Sequence, residues 1–249
     1  MKKAGRVRVV AGIVLCWLLA ALPVYPYSVY PNGERVTTAL TGGEANASSI
    51  AGGRSAVASG TYSSAYGVDS TASGSWSSAY GESSTASGNY SSAYGCKSTA
   101  SGDSSSAYGK YSTASGDSSN AYGDYSTASG VCSSAYGFYS KASGVNSSAY
   151  GYKSTASGAS SVAIGDNASA TGTNSVALGA NSTANEDNTV SVGSSASQRR
   201  ITNVADGTDP TDAVNVRQLG MGVAAALAIT QITPSEPGKK AIGVQTGTY

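Results

Sequence analysis

Small and polar residues alternate along this chain with a regularity that large apolar residues do not set. From Gly53 to Gly179 every seventh residue is glycine, and alanine recurs every seven residues from Ala58 to Ala184. The unit is Ser-x-Ala-x-Gly, as in Ser63-Ser64-Ala65-Tyr66-Gly67 followed by Ser70-Thr71-Ala72-Ser73-Gly74. The full period is 14 residues, because the residue before glycine alternates between tyrosine and serine. A helical heptad needs large apolar residues at two of its positions, and glycine in every helical turn would cost about 1 kcal/mol apiece against alanine. Alternation within the five-residue unit predicts a strand instead, with Ser, Ala and Gly on one face and the two variable residues on the other. Two short strands and two turns then make one coil. The span from Gly53 to Gly193 holds ten coils, roughly 48 Å of solenoid at the spacing of hydrogen-bonded strands. The pattern predicts an all-β chain, a narrow parallel β-roll with only small side chains inside.

Such a coil buries little apolar area against the entropy of ordering its rungs, so the missing burial has to come from outside it. The outward tyrosines Tyr66, Tyr80, Tyr94, Tyr108, Tyr122, Tyr136 and Tyr150, continued by Ile164 and Leu178, form one stripe and predict self-association through that face. The other strand turns Thr71, Thr85, Thr99, Thr113 and Thr127 outward beside a serine ladder. Gly/Ala/Ser/Tyr composition also permits a silk-like unfolded segment, but disorder does not require register this strict.

Charge and composition narrow the chemistry. The chain has no histidine, which removes the commonest general base and metal ligand. No serine has a base in fixed relation to it, so neither enzyme activity, a cofactor nor a metal is expected. Lys2, Lys3, Arg6 and Arg8 precede an apolar run from Val9 to Val24, the layout of a secretory signal, with cleavage expected near Ala20-Ala21. Its removal leaves 11 basic residues against 14 acidic ones, a net charge of −3 that gives no case for nucleic acid as a partner. Asp69, Glu82, Asp103, Asp117 and Asp124 follow glycines, interspersed with Lys97, Lys110 and Lys153, and read as a solvated turn surface rather than a carboxylate row. Cys96 and Cys132 lie at different turn positions about two and a half coils apart, too far for the ~7 Å reach of a disulfide. Tyr62, Trp76, Tyr90, Tyr111, Tyr125, Phe138, Tyr139 and Tyr152 are turn aromatics, large contact area at low entropic cost; Tyr111, Tyr125 and Tyr139 are the candidate ligand surface.

Units such as Ser161-Val162-Ala163-Ile164-Gly165 resemble the head repeats of trimeric autotransporter adhesins, the YadA-like surface proteins of Gram-negative bacteria. Residues 200–219 are similar to that family's neck, and 222–227 with 237–249 look like the start of its membrane anchor. The resemblance implies a homotrimer in which each chain gives a left-handed parallel β-roll to the head. A neck, a coiled-coil stalk and a membrane barrel built from all three chains would follow. The expected organisation is a signal peptide over 1–21, a lead-in over 22–52, head repeats over 53–198, a neck over 199–219 and the start of an anchor over 220–249. The last part would hold a short helix and one anchor strand, Lys239–Tyr249. A single strand cannot close a barrel, so a truncated anchor is expected, with no stalk between Leu219 and Gly220. In the neck, Arg200, Asn203, Asp206, Asp212 and Asn215 are expected to set the register of head on helices, some of the charges pairing between chains. The implied function is adhesion at the outer membrane, to extracellular matrix proteins or other cells. A structural module for autoaggregation or biofilm is the alternative. An ice-binding solenoid is a third reading, suggested by the threonine ladder and weakened by Lys141 within it.

Overall fold

Glycine and alanine set the cross-section of the roll. A computed structural model describes residues 27–28, 37–40, 43–45 and 48–230; the export signal and the anchor strand expected from sequence lie outside the described residues. In a representative coil, strand Ser64–Tyr66 leads through the turn Gly67–Ser70 into strand Thr71–Ala72, and the turn Gly74–Ser77 returns the chain to the next rung. The ten three-residue strands, with Tyr27–Ser28, Thr37–Leu40 and Val190–Ser191, stack into one sheet of 13 strands, and 11 two-residue strands form a second. From Ile50 onward both sheets are parallel and in register with the 14-residue period: Ala93 faces Ala107, Tyr94 faces Tyr108 and Thr99 faces Thr113. The architecture is a parallel β-solenoid of about ten turns.

Between the sheets lie only alanine and serine. Ala65, Ala72, Ala79 and their successors through Ala177 are completely buried, as are Ser70, Ser77 and every seventh residue after them to Ser133. The glycines are what let coils approach so closely. A Cβ on Gly74 would sit 1.9 Å from the carbonyl oxygen of Gly88 in the next coil, and Gly81 has φ of +135°, a conformation that side-chain-bearing residues rarely adopt. Each turn closes on itself, as where the Ser70 N–H donates to the Gly67 carbonyl at 3.3 Å.

Strand pairing begins before the strict repeat does. Strand Thr37–Leu40 is parallel to Ile50–Gly52, and Glu44–Ala45 is parallel to Val57–Ala58. Thr38 faces Ile50 and Glu44 faces Val57, spacings of 12 and 13 residues, so a search for a fixed period of 14 passes over this coil. Tyr27–Ser28 adds an antiparallel edge to Thr37–Thr38.

Of the described residues, those up to Gln198 form one compact unit and those from Arg199 a second. Among its described residues the second contains one helix, α1, Val216–Thr230. Asn215 caps it: its Oδ1 accepts the Gln218 N–H at 3.0 Å, satisfying a donor that the first helical turn leaves open.

Candidate functional surface

The solenoid has two flat faces and two turn edges, and each displays its own row of side chains. On the outward face of the longer sheet, Tyr66 through Tyr150 stand in a single stack, with successive ring centroids 4.8 to 5.1 Å apart. Ile164 and Leu178 continue the same register. Tyr66 to Tyr122 are half-buried, whereas Tyr136, Tyr150, Ile164 and Leu178 are exposed. Desolvation pushes the phenols of Tyr80, Tyr108 and Tyr136 above their ordinary ionisation range, and the neighbouring tyrosines add to it. The structure thus gathers all nine residues of the expected interface into one apolar stripe.

The turn aromatics divide between the two edges, because successive seven-residue units turn alternately from the longer sheet to the shorter and back. Tyr62, Trp76 and Tyr90 fall on one edge, where Tyr62 and Trp76 stack at 4.3 Å. Tyr111, Tyr125, Tyr139, Phe138 and Tyr152 fall on the other. There Tyr111 stacks on Tyr125 at 5.0 Å and Tyr125 on Tyr139 at 4.7 Å. Phe138 stacks on Tyr152 and meets Tyr125 and Tyr139 edge-on. The ammonium groups of Lys97 and Lys110 lie 5.3 and 5.4 Å from the Tyr111 ring centre, and that of Lys153 lies 5.0 Å from the Tyr152 ring centre. Lys97 also donates to the Tyr111 hydroxyl at 3.3 Å, which raises its pKa. From sequence the eight aromatics read as one set and the lysines as dilution of a carboxylate row; the alternation of edges is what separates them.

Six of these aromatics occupy a strained position. The second residue of every turn has positive φ, including Tyr62, Trp76, Tyr90, Tyr111, Tyr125 and Tyr139 at +56° to +60°. In the last coils the same position is filled by Asn167, Asn174, Asn181 and Asn188, a residue type that enters this region readily. For other side chains the conformation costs about 1–2 kcal/mol.

Three of the five turn carboxylates, Asp103, Asp117 and Asp124, are more ordered than a solvated surface. Asp103 Oδ1 accepts the Asn89 N–H at 2.8 Å, Asp117 Oδ1 accepts the Asp103 N–H at 3.0 Å, and Asp124 Oδ1 accepts the Lys110 N–H at 2.8 Å. Each thereby satisfies a backbone donor one coil earlier, and Asn89 Oδ1 does the same for Ser75. Repetition of Asn or Asp at 89, 103 and 117 is the sequence signal for this ladder. Cys96 and Cys132 are free thiols on opposite edges.

In the second unit two of the expected neck residues, Asp206 and Asn215, meet within the chain. Asp206 pairs with Arg217 and accepts from Asn215 Nδ2 at 2.7 Å. These partners, Arg217 first, hold the Asp206 carboxyl below the usual carboxylate range. Asp212 Oδ2 accepts the backbone N–H groups of Thr208 and Asp209 at 3.0 and 3.1 Å, which lowers its pKa likewise. Asn203 has φ of +62°. Gln218, which the sequence reading passes over, bonds Gly207 through both its amide oxygen and its amide nitrogen at 2.9 Å. Arg200 is exposed.

With this geometry in hand, comparison with known proteins is decisive. Residues 65–91, 86–112, 107–131, 142–168 and 170–196 match the model of the YadA head domain repeat, and 200–230 match that of the coiled stalk of trimeric autotransporter adhesin. The crystal structure of the collagen-binding domain of the Yersinia adhesin YadA is 34% identical, covering 66% of this chain and 84% of that one, with a TM-score of 0.52. This chain belongs to the YadA-like trimeric autotransporter adhesins. Its solenoid is a YadA-like head. The stalk match runs past Leu219 to residue 230, so helix α1 lies within stalk-like sequence where the sequence reading begins the anchor. No curated protein matches the chain.

Proposed function

We propose that the chain is an exported adhesin of a Gram-negative cell surface, whose head trimerises through the Tyr66 series and attaches to host matrix protein or to other cells. The observation that supports it is the order of head repeats followed by a stalk-like segment, together with the likeness to a collagen-binding domain. In this reading residues 1–21 are removed on export, 53–198 form the head, 199–219 the neck, and 220–249 lead toward the outer membrane. The neck residues Arg200, Asn203, Asp206, Asp212 and Asn215 set the register between head and helices. With the tyrosine stripe toward the threefold axis, the threonine face and the two turn edges are left to meet ligands, and multivalency strengthens weak contacts. Immobilised collagen, fibronectin and laminin test it: saturable binding of the purified trimer to one of them, lost with Tyr111, Tyr125 and Tyr139 changed to serine, is expected. Clumping of cells displaying the chain with no matrix binding would instead favour the autoaggregation role.

A further inference from the structure

The basic residues of the roll are segregated. Between residues 53 and 198 there are five, Arg54, Lys97, Lys110, Lys141 and Lys153. Four lie in the turns of the edge that carries Tyr111, Tyr125 and Tyr139. The fifth, Lys141, is exposed on the adjoining strand, two residues past Tyr139. The opposite edge carries Asp103, Asp117 and Asp187 and no cation. Over the five turns from Cys96 to Lys153, three lysines, joined by Lys141 on the adjoining strand, stand against one carboxylate, Asp124, and that carboxylate is already engaged by the Lys110 backbone. Glu82 and Asp166 lie one turn beyond on either side and Asp69 one turn further than Glu82, so the surplus of cations is confined to these five turns.

We propose that this edge binds an extended acidic polysaccharide bearing a carboxylate on about every second sugar. The inference rests on the adhesin reading, in which the Tyr66 stripe rather than this edge faces the trimer axis. Ring geometry selects the ligand class. Tyr125 is stacked between Tyr111 and Tyr139, and Lys97 and Lys110 lie over the Tyr111 ring, so most of the open ring faces that nucleic-acid bases need for stacking are taken. What remains for a ligand are phenol hydroxyls, the electropositive ring edges and ammonium groups, all suited to hydroxyl and carboxylate oxygens. The tyrosines repeat at 4.7 to 5.0 Å, close to the rise of one sugar in an extended chain, so repeated donors meet repeated acceptors in step. The surplus of cations amounts to about one per two rungs, which fits a sparsely charged polymer better than a densely sulfated one. Tyrosine also holds the left-handed turn position here, where the last coils use asparagine.

The test uses the full-length trimer against hyaluronate oligosaccharides, heparin, oligothymidylate and neutral dextran, in physiological salt because exposed charges are screened there. Hyaluronate should bind saturably and dextran should not. The Lys97→Gln/Lys110→Gln/Lys153→Gln variant should lose about tenfold or more in affinity. Tyr125→Phe/Tyr139→Phe, which keeps the stack and removes two hydroxyls, should weaken binding by a smaller factor. Asp103→Asn/Asp117→Asn on the far edge should leave it unchanged. Binding of heparin alone would overturn the spacing argument in favour of simple charge attraction, and preference for oligothymidylate would overturn it in favour of base stacking. Hyaluronate binding that survives the lysine variant would place the site elsewhere. Sedimentation of every variant keeps a failure of trimerisation distinct from a failure of this edge.

Discussion

Ser105 and Ser112 stand seven residues apart, both fully buried, and differ in what their hydroxyls meet. Ser112 Oγ donates to the Gly109 carbonyl at 2.9 Å, and its equivalents Ser70, Ser84, Ser98, Ser126, Ser140 and Ser154 do the same in their own turns. Ser105 Oγ, with its equivalents from Ser63 to Ser161, has no partner. An unmade hydrogen bond on a buried hydroxyl costs about 1–3 kcal/mol, whereas a made one contributes about 1 kcal/mol. Ser112→Ala should therefore lower stability by about 1 kcal/mol in denaturant titration, while Ser105→Ala should be neutral or stabilising. Ala56 and Ala168 already occupy the bonded row, so loss of a single bond there is compatible with the fold. Ser175 shows the geometry that would defeat the contrast: its hydroxyl reaches the Gly172 carbonyl at 2.7 Å. Equal losses for the two variants would mean Ser105 adopts that rotamer. Sequence makes the two rows look alike, since both read Ser before x-Ala-x-Gly; only the different turns behind them set the hydroxyls apart.

At the scale of elements, two features respond to pH in opposite directions. The Asp206 and Asp212 carboxyls are depressed by Arg217 and by backbone N–H groups respectively. Their contribution is complete above the ordinary carboxylate pKa, near 4, and is lost as pH falls through the lower folded values. Acidification below about pH 4 should loosen the approach to helix α1. Asp206→Asn with Asp212→Asn should remove that acid-dependent loss, read by the far-ultraviolet dichroism of the helix against pH. In the tyrosine stack the phenols are raised, so its contribution is complete below the ordinary value near 10 and is lost as pH climbs through the higher folded values. Replacing Tyr80, Tyr108 and Tyr136 with phenylalanine should extend stability into alkali; melting that falls identically with pH in both proteins would remove the stack from the account. The strands of the roll were legible from alternation alone, because each is specified by its own few residues. The neck bonds were not, since Asn215, Gln218 and Arg217 reach partners 9 to 11 residues back, across an irregular segment with no period to announce it.

For the whole molecule the repeat spells out the solenoid and its length, yet it does not show which side of the solenoid is covered. The roll buries alanine and serine, residues too small to supply much hydrophobic stabilisation, while a continuous row of large side chains from Tyr66 to Leu178 stands outside on one face. Fully burying a side chain of that size is worth about 1.5–3 kcal/mol, and the stripe repeats at every coil from Tyr66 to Leu178. In the proposed head trimer the same stripe on two further chains would cover it. Tyr108, Tyr122 and Tyr136 changed together to serine should then remove several kcal/mol per chain and convert a trimer to monomers or unfolded chain in sedimentation equilibrium. Tyr111, Tyr125 and Tyr139 changed to serine remove comparable aromatic area from the edge and should leave the mass trimeric and the melting temperature nearly unchanged. Should the edge variant dissociate while the face variant stays trimeric, the axis would lie along the turns, and the tyrosine face would be the surface free to bind.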